Sequence, residues 1–344
     1  MADADGIIVC VPTPVDEHLD PDLRALRIAC DRVVELAVPG QTIVLTSTSY
    51  VGCTREFIVK GLMKRGMTPG RDVFVAFSPE RIDPGNAKHP QNTVPRVVGG
   101  ATEECAIRAQ GILERIAPIH PVSSLEAAEL TKLLENTFRA VNISMVNEFA
   151  NVAAALGVDI MEVIAAAATK PYGFMPFYPG PGVGGHCIPC DPQYLLWQMR
   201  AARVPMPLVS QAMTLIAERP GYVVQRIREV LSDVGRGIRG ARVIVAGVTY
   251  KPNVADLRES SALEIIPALQ RAGAIVEYSD CLVPTLRLHD GTTLQSLANP
   301  KGADCDIALV HTSHREADLT WLDDCPLVLD ATYRLPADRR TAAL

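Results

Sequence analysis

Short runs that are apolar on both faces alternate along the chain with longer stretches whose apolar residues recur at helical spacing. Residues 6–11, Gly-Ile-Ile-Val-Cys-Val, form the first such run, and Pro12-Thr13-Pro14 ends it. A strand with no polar alternation is one buried on both faces, as in a parallel sheet. Residues 22–36 carry a helical period, 42–45 and 72–77 read as further buried strands, and 97–100 followed by a helix over 103–116 completes another βα unit. A second series begins later, with a helix at 222–234, a strand at 241–247, a helix at 263–272 and strands at 274–278, 307–310 and 327–329. Strands and helices that alternate in this way predict two doubly wound α/β sheets.

Between the two series lies the longest helical pattern, 123–157, without proline or interior glycine; it would span roughly 50 Å at about 1.5 Å per residue. Ser123 and Ser124 are candidate caps, Glu126 completes a capping box with Ser123, and Gly157 supplies the stop. At about 100° per residue, Glu129, Lys132, Asn136 and Asn147 fall on one stripe, which on spacing alone is a solvated face. Domains are therefore expected at 1–121, 122–218 and 219–344.

Residues 174–194 break the pattern. Gly180, Gly182, Gly184 and Gly185 crowd together with Pro179 and Pro181, which predicts a shaped loop whose backbone can approach a ligand closely. Cys187 follows at once and Asp191 four residues later. A thiol behind a small-residue loop with a carboxylate nearby is a candidate nucleophile, although a lone cysteine is more often an ordinary buried side chain.

Composition narrows the field. A net charge of −6 argues against nucleic acid as a partner. Nine scattered cysteines fit a reducing, cytoplasmic setting and no disulfide framework. The first residues lack the basic flank of a leader, and no apolar run approaches the ~20 residues of a membrane span.

Gly180-Pro-Gly-Val-Gly-Gly-His-Cys187-Ile-Pro, then Asp191-Pro192, resembles the active-site loop of the UDP-glucose/GDP-mannose dehydrogenase family. The stretch from Glu129 to Ile143 is similar to that family's central helix, and Tyr250-Lys-Pro-Asn253 with Asp256-Leu-Arg-Glu-Ser260 to its nucleotide-binding C-terminal domain. The resemblance implies two Rossmann-like domains joined by a long central helix and a helical dimerisation region. It implies NAD-dependent, four-electron oxidation of the C6 alcohol of a nucleotide sugar to the acid through a thioester on Cys187, for surface polysaccharide precursors. UDP-N-acetylglucosamine is the substrate it favours, with UDP-N-acetylmannosamine or UDP-glucose as alternatives. Catalytic roles are implied for Cys187, Lys132, Asn136, Asp191 and Glu80, cofactor contacts for Thr13 and Thr48, and substrate contacts for Tyr178, Gly184, Lys251 and Arg258. No metal, membrane or nucleic-acid partner is implied, and a homodimer through the central helix is.

Several features depart from the family pattern. No strand–Gly-x-Gly-x-x-Gly–helix element is present, so the NAD-binding domain is expected to be incomplete, lacking its first half. NAD binding is then expected to be weak, and a silent UDP-sugar-binding or oligomerising remnant stands as an alternative to a working enzyme. The late Asp-x-Arg of the family appears as Asp330-Ala331-Thr332, with Arg334 two places on. Cys187-x-x-Cys190 beside His186 also permits a redox dithiol or half a zinc site, against which Pro189 and Pro192 weigh, since a dithiol of that kind sits at a helix N-terminus.

Overall fold

The computed structural model describes residues 3–82, 89–185, 187–336 and 341–344. Two compact units emerge, Met1–Phe138 with Cys190–Met206, and Arg139–Pro189 with Pro207–Leu344.

In the first unit the predicted apolar runs become strands β1 (Gly6–Val9), β2 (Thr42–Leu45) and β3 (Phe74–Phe77), each parallel to the next. Helix α1 (Arg24–Leu36) covers them with Leu26, Cys30 and Val33 facing inward, and the short α2 (Lys60–Lys64) follows β2. Strand β4 (Arg96–Gly100) runs antiparallel to β3, which breaks the expected all-parallel order. Its Gly99-Gly100 end lets two helices begin against the sheet: a Cβ on Gly99 would stand 2.0 Å from the Ser124 carbonyl oxygen. Helix α3 (Glu103–Leu113) is capped by Thr102, whose hydroxyl accepts from the Cys105 amide, with Glu103 and Glu104 favourable in its first turn. Strand β5 (Ile119–Val122) closes the sheet at the edge, where Pro121, which has no N–H, is tolerated.

Helix α4 (Leu125–Leu156) is the predicted long helix. Ser124 caps it by accepting from the Ala127 amide, but Glu126 does not turn back to complete a capping box; its carboxylate pairs with Arg55 at 2.6 Å. Gly157 ends it at φ +68. The polar stripe is not solvated: Glu129, Lys132, Asn136 and Asn147 are all buried. Glu129 is only 1 % exposed, and it accepts from the amides of Gly52 and Thr54 and from the Thr54 hydroxyl. A buried carboxylate needs such a set, because each unmet charge in a low-dielectric interior is costly.

Helix α5 (Ile160–Ala168), capped by Asp159, follows. Helix α6 (Cys187–Ala202) begins inside the stretch expected to be a loop, because only the glycines up to Gly185 resist helix, and Pro189 falls in the first turn where its missing N–H costs nothing. Helix α7 (Pro207–Asp233) starts fifteen residues before the predicted position, since Pro220 sits buried within it without ending it.

The second unit carries β6 (Arg242–Ala246), α8 (Ala262–Arg271), β7 (Ile275–Ser279), a small hairpin β8 (Thr285–Arg287) and β9 (Thr293–Gln295), then β10 (Ile307–Val310), β11 (Val328–Asp330) and β12 (Thr341–Ala343). Its parallel sheet has the order β12-β11-β10-β6-β7. The chain leaves β6 toward β7 and β10 toward β11, so the crossovers diverge between β6 and β10, the switch point at which open α/β sheets bind ligands. No described helix is long and apolar enough to cross a membrane.

Replacing Glu129 by Ala would strand three donors, two of them fully buried. It is expected to lower the unfolding free energy by about 3 kcal/mol in denaturant melts, with Glu129→Gln intermediate; an unchanged midpoint for both would show that the carboxylate does not hold the 52–54 backbone.

Candidate active site

Two groups of side chains stand out, one in each unit. In the first, Lys132 and Asn136 lie one turn apart on α4, and Asp191 projects from the first turns of α6. Asn136 Nδ2 donates to Asp191 Oδ2. Asp191 is 2 % exposed. Burial pushes its carboxyl up to about 6, opposed by the Lys132 charge and the Asn136 hydrogen bond. A carboxyl held there can take up and release a proton near neutral pH. On the next turn of α6, Tyr194 is fully buried and its hydroxyl donates to the Thr13 carbonyl at 3.2 Å. Thr13 follows β1 and Thr48 follows β2, so both lie at carboxyl ends of parallel strands, Thr13 buried and Thr48 half-buried. Glu80, after β3, accepts from Arg96 at 2.9 Å and from the amides of Arg81 and Ile82.

In the second unit the glycine loop is clamped at Gly180. Its amide donates to Asn147 Oδ1 at 3.0 Å, and its carbonyl accepts from Arg219 Nε at 2.9 Å. Arg219 is buried and also donates to Asn151 Oδ1 and to the Tyr333 hydroxyl. Farther along, a Cβ on Gly182 would come within 2.5 Å of Ser261 Cβ, and one on Gly184 within 2.3 Å of Tyr250 Cβ. The Gly185 amide donates to the Arg258 carbonyl at 2.9 Å. Cys187 is then exposed at the first position of α6 and lies within electrostatic reach of Arg258.

The loop roofs a pocket of about 140 Å³, open to solvent, at the β6/β10 switch point. Gly180, Tyr250, Ser261, His311, Thr332 and Arg334 are among its walls. Arg334 gets there because Asp330 folds the turn before it, accepting from the amides of Thr332, Arg334 and Leu335 and from the Thr332 hydroxyl. Gly247, at the end of β6, holds φ +76 and leaves no room for a side chain, since a Cβ there would lie 1.9 Å from the Thr312 carbonyl oxygen.

The NAD binding domain of the UDP-glucose/GDP-mannose dehydrogenase family matches residues 1–117, its central domain residues 126–216 and its UDP binding domain residues 244–333. The chain belongs to this family. A UDP-N-acetyl-D-glucosamine 6-dehydrogenase of Salmonella typhi is 30% identical over 347 residues, covering 98% of this chain and 81% of that protein. Another of that name from Pseudomonas aeruginosa is 36% identical over 276 residues, which covers 79% of this chain and 65% of that protein, so the match takes in just under two thirds of the relative's length. The solved structure of a UDP-D-MAnNAc dehydrogenase from Pyrococcus horikoshii superposes with a TM-score of 0.88 at 28% identity, over 99% of this chain and 81% of that one.

Membership of the dehydrogenase family corrects one expectation. The NAD-binding domain was expected to lack its first half, yet the family's domain matches from residue 1 to residue 117. The physical reason is that a domain is recognised by the spacing of buried strands and covering helices over its whole length, of which a glycine fingerprint is one short part. A second correction concerns Cys187-x-x-Cys190. The helix N-terminus that the two prolines were expected to forbid is present, with Cys190 buried one turn in. His186 lies outside the described residues.

Of the family residues expected from the sequence, Lys132, Asn136 and Asp191 are brought together in the first unit. Gly184 lines the pocket in the second, whereas Tyr178 is exposed and Lys251 half-buried. Arg258 reaches outward to pair with Asp256 at 2.7 Å. Asn147 does not stay with the lysine and asparagine of its stripe; it pins the loop. Arg219, Ser261 and His311 were not singled out, for nothing in their local spacing signals burial beside a distant loop. Asp280 stands directly after β7, where a dinucleotide-binding βαβ unit carries its ribose acid. Its carboxylate is occupied by the amides of Val248, Leu282 and Val283 and by His314 Nε2, so it shapes the fold.

A carboxyl raised by burial favours the folded state only while protonated. That stabilisation is full below the unfolded value of 3.8 and is lost as pH rises through about 6. The unfolding free energy of wild type relative to Asp191→Asn is therefore expected to fall by about 3 kcal/mol between pH 3.5 and 7. Parallel stability profiles for the two proteins would show that Asp191 titrates normally.

Proposed function

We propose that this chain is a nucleotide-sugar 6-dehydrogenase that oxidises the C6 alcohol of a UDP-N-acetylhexosamine, UDP-N-acetylglucosamine first, to the acid in two NAD-dependent steps. The single observation that carries the reading is the buried Asp191 beside Asn136 and Lys132. The names of the Salmonella typhi and Pseudomonas aeruginosa relatives support the N-acetylglucosamine choice.

Thr13 and Thr48 would hold the nicotinamide end of the cofactor; the set suits it, being neutral, hydroxyl-bearing and placed at carboxyl ends of parallel strands. When bound, NAD accepts the hydride at each of the two oxidation steps. Asp191, acting with Lys132 through a water, takes the proton of the C6 hydroxyl in the first step. The Cys187 thiolate then adds to the aldehyde, so that no free aldehyde escapes, and the resulting thiohemiacetal alkoxide is stabilised by the Lys132 cation and the Asn136 amide. Loss of the second hydride leaves a thioester on Cys187. Water cleaves it to the acid and restores the thiol, a step in which Glu80 would orient the attack. In the second unit the switch-point pocket, with Arg334 and the Gly180–Gly184 backbone, suits a nucleoside diphosphate, and Tyr178, Lys251 and Arg258 would contact the substrate.

A homodimer through α4 belongs to the same proposal. Leu130, Leu134, Phe138, Met145, Phe149 and Val152 recur along that helix and are exposed, Leu134 at 64% and Phe149 at 57%. An apolar ridge of this length on one helix suits a second copy of itself.

With NAD and UDP-N-acetylglucosamine, two NADH are expected per uronate formed. Cys187→Ala should abolish acid formation while Cys190→Ala retains it. Equal loss from both would favour a dithiol, and no NADH from any UDP-sugar would overturn the proposal. Leu134→Glu combined with Phe149→Glu is expected to convert the sedimenting species from dimer to monomer; a wild type that sediments as a monomer would remove the dimer.

A further inference from the structure

A chain of four buried groups ends in the wall of the switch-point pocket, and its proton directions can be worked out link by link. The Thr312 hydroxyl lies 2.7 Å from the Thr249 carbonyl oxygen, which can only accept, so the one proton of Thr312 is committed there. Thr312 Oγ1 is also 2.9 Å from His311 Nδ1. With its own proton spent, the threonine oxygen must accept, and Nδ1 carries the imidazole proton. Burial pushes His311 down to about 4, against a backbone hydrogen bond with Gly247 and the charge of Asp280, so the ring is neutral at physiological pH and Nε2 is a bare acceptor. Ser261 Oγ lies 2.8 Å from Nε2 and must donate to it.

The serine proton is therefore turned away from the pocket that Ser261 and His311 both line. What Ser261 offers there is lone pairs. It does not cap α8 either: it stands at the N-cap position in helical geometry without a side-chain capping bond. Among the described residues none donates to its oxygen. Phosphate oxygens, which only accept, are repelled from such a point, and the guanidinium of Arg334 in the same pocket is the better place for them. Gly182 keeps the loop backbone tight over the serine, so the position is shaped for one small group.

We propose that Ser261 is a specificity-determining acceptor for a hydrogen-bond donor on the nucleoside, a ribose hydroxyl or the uracil N3–H, held in that polarity by His311 and Thr312. The inference rests on the nucleoside-diphosphate reading of the pocket given above. His311 and Thr312 are positioning residues in this scheme, since they set which way the serine proton points.

Calorimetric titrations of the full chain with UDP, 2′-deoxy-UDP, 3′-deoxy-UDP, N3-methyl-UDP and inorganic pyrophosphate test it. Wild type is expected to bind one of the three analogues about tenfold more weakly than UDP, and which one identifies the donor. Ser261→Ala should weaken UDP by about the same factor, leave that analogue unchanged, and leave pyrophosphate unchanged. Equal affinity of wild type for UDP and all three analogues would overturn the proposal without any variant, as would a Ser261→Ala loss that is the same for pyrophosphate as for UDP. If wild type binds no UDP compound at all, the functional reading fails with it; UDP binding without discrimination removes only the role of Ser261.

Discussion

Polar and charged groups taken out of water oblige their surroundings to supply partners. On α4 this applies at three positions within two turns: Glu129, Lys132 and Asn136 are all buried. Glu129 gathers the amides after β2 around its carboxylate, which ties the carboxyl end of that strand to the helix. Asn136 reaches the carboxyl of Asp191. The two carboxylates differ in how well they are met. Glu129 has three donors and Asp191 one hydrogen bond and a nearby cation, yet burial outweighs the partners at both, raising the Glu129 carboxyl above its usual range and that of Asp191 to about 6.

The second unit uses the opposite device, removal of side chains. Gly182, Gly184 and Gly247 each stand where a Cβ would lie within about 2.5 Å of another residue. The absence of those methyl groups is what allows the loop to lie on Ser261 and Tyr250, and what lets the β6 end pass the carbonyl of Thr312. Backbone so placed needs an anchor, and Arg219 supplies one. A single buried guanidinium with three acceptors fixes the Gly180 carbonyl, α4 and the C-terminal turn at once.

How far the sequence reveals this depends on the range of the interaction. Strand β2 falls at 42–45 as its unbroken apolar run implies, and β10 at 307–310, because a strand buried on both faces is encoded locally. The long helix follows its caps and its 3.6-residue period to within two residues. The burial of its polar stripe was hidden, for periodicity gives the direction of a side chain and not what lies opposite. Helices α6 and α7 were missed or shortened because Pro192 and Pro220 are local breakers that tertiary packing overrides. Cys187 and Asp191 were legible from the glycine loop and the family resemblance, while the polar partners that oppose the burial of Asp191 come from α4, some fifty-five residues away. Arg219 and His311 had no local signal at all.

The turn folded by Asp330 has a thermodynamic meaning for binding. Four donors from Thr332 to Leu335 converge on one carboxylate, so the segment that carries Arg334 is ordered before any ligand arrives. A guanidinium on a preformed turn surrenders little conformational freedom on contact with an anion, and that saving lowers the entropic cost of association. The same local wiring separates the location of the cation from its place in the family's Asp-x-Arg pattern. The arginine stands two residues beyond its usual partner spacing, and the turn folds back far enough to bring it to the pocket.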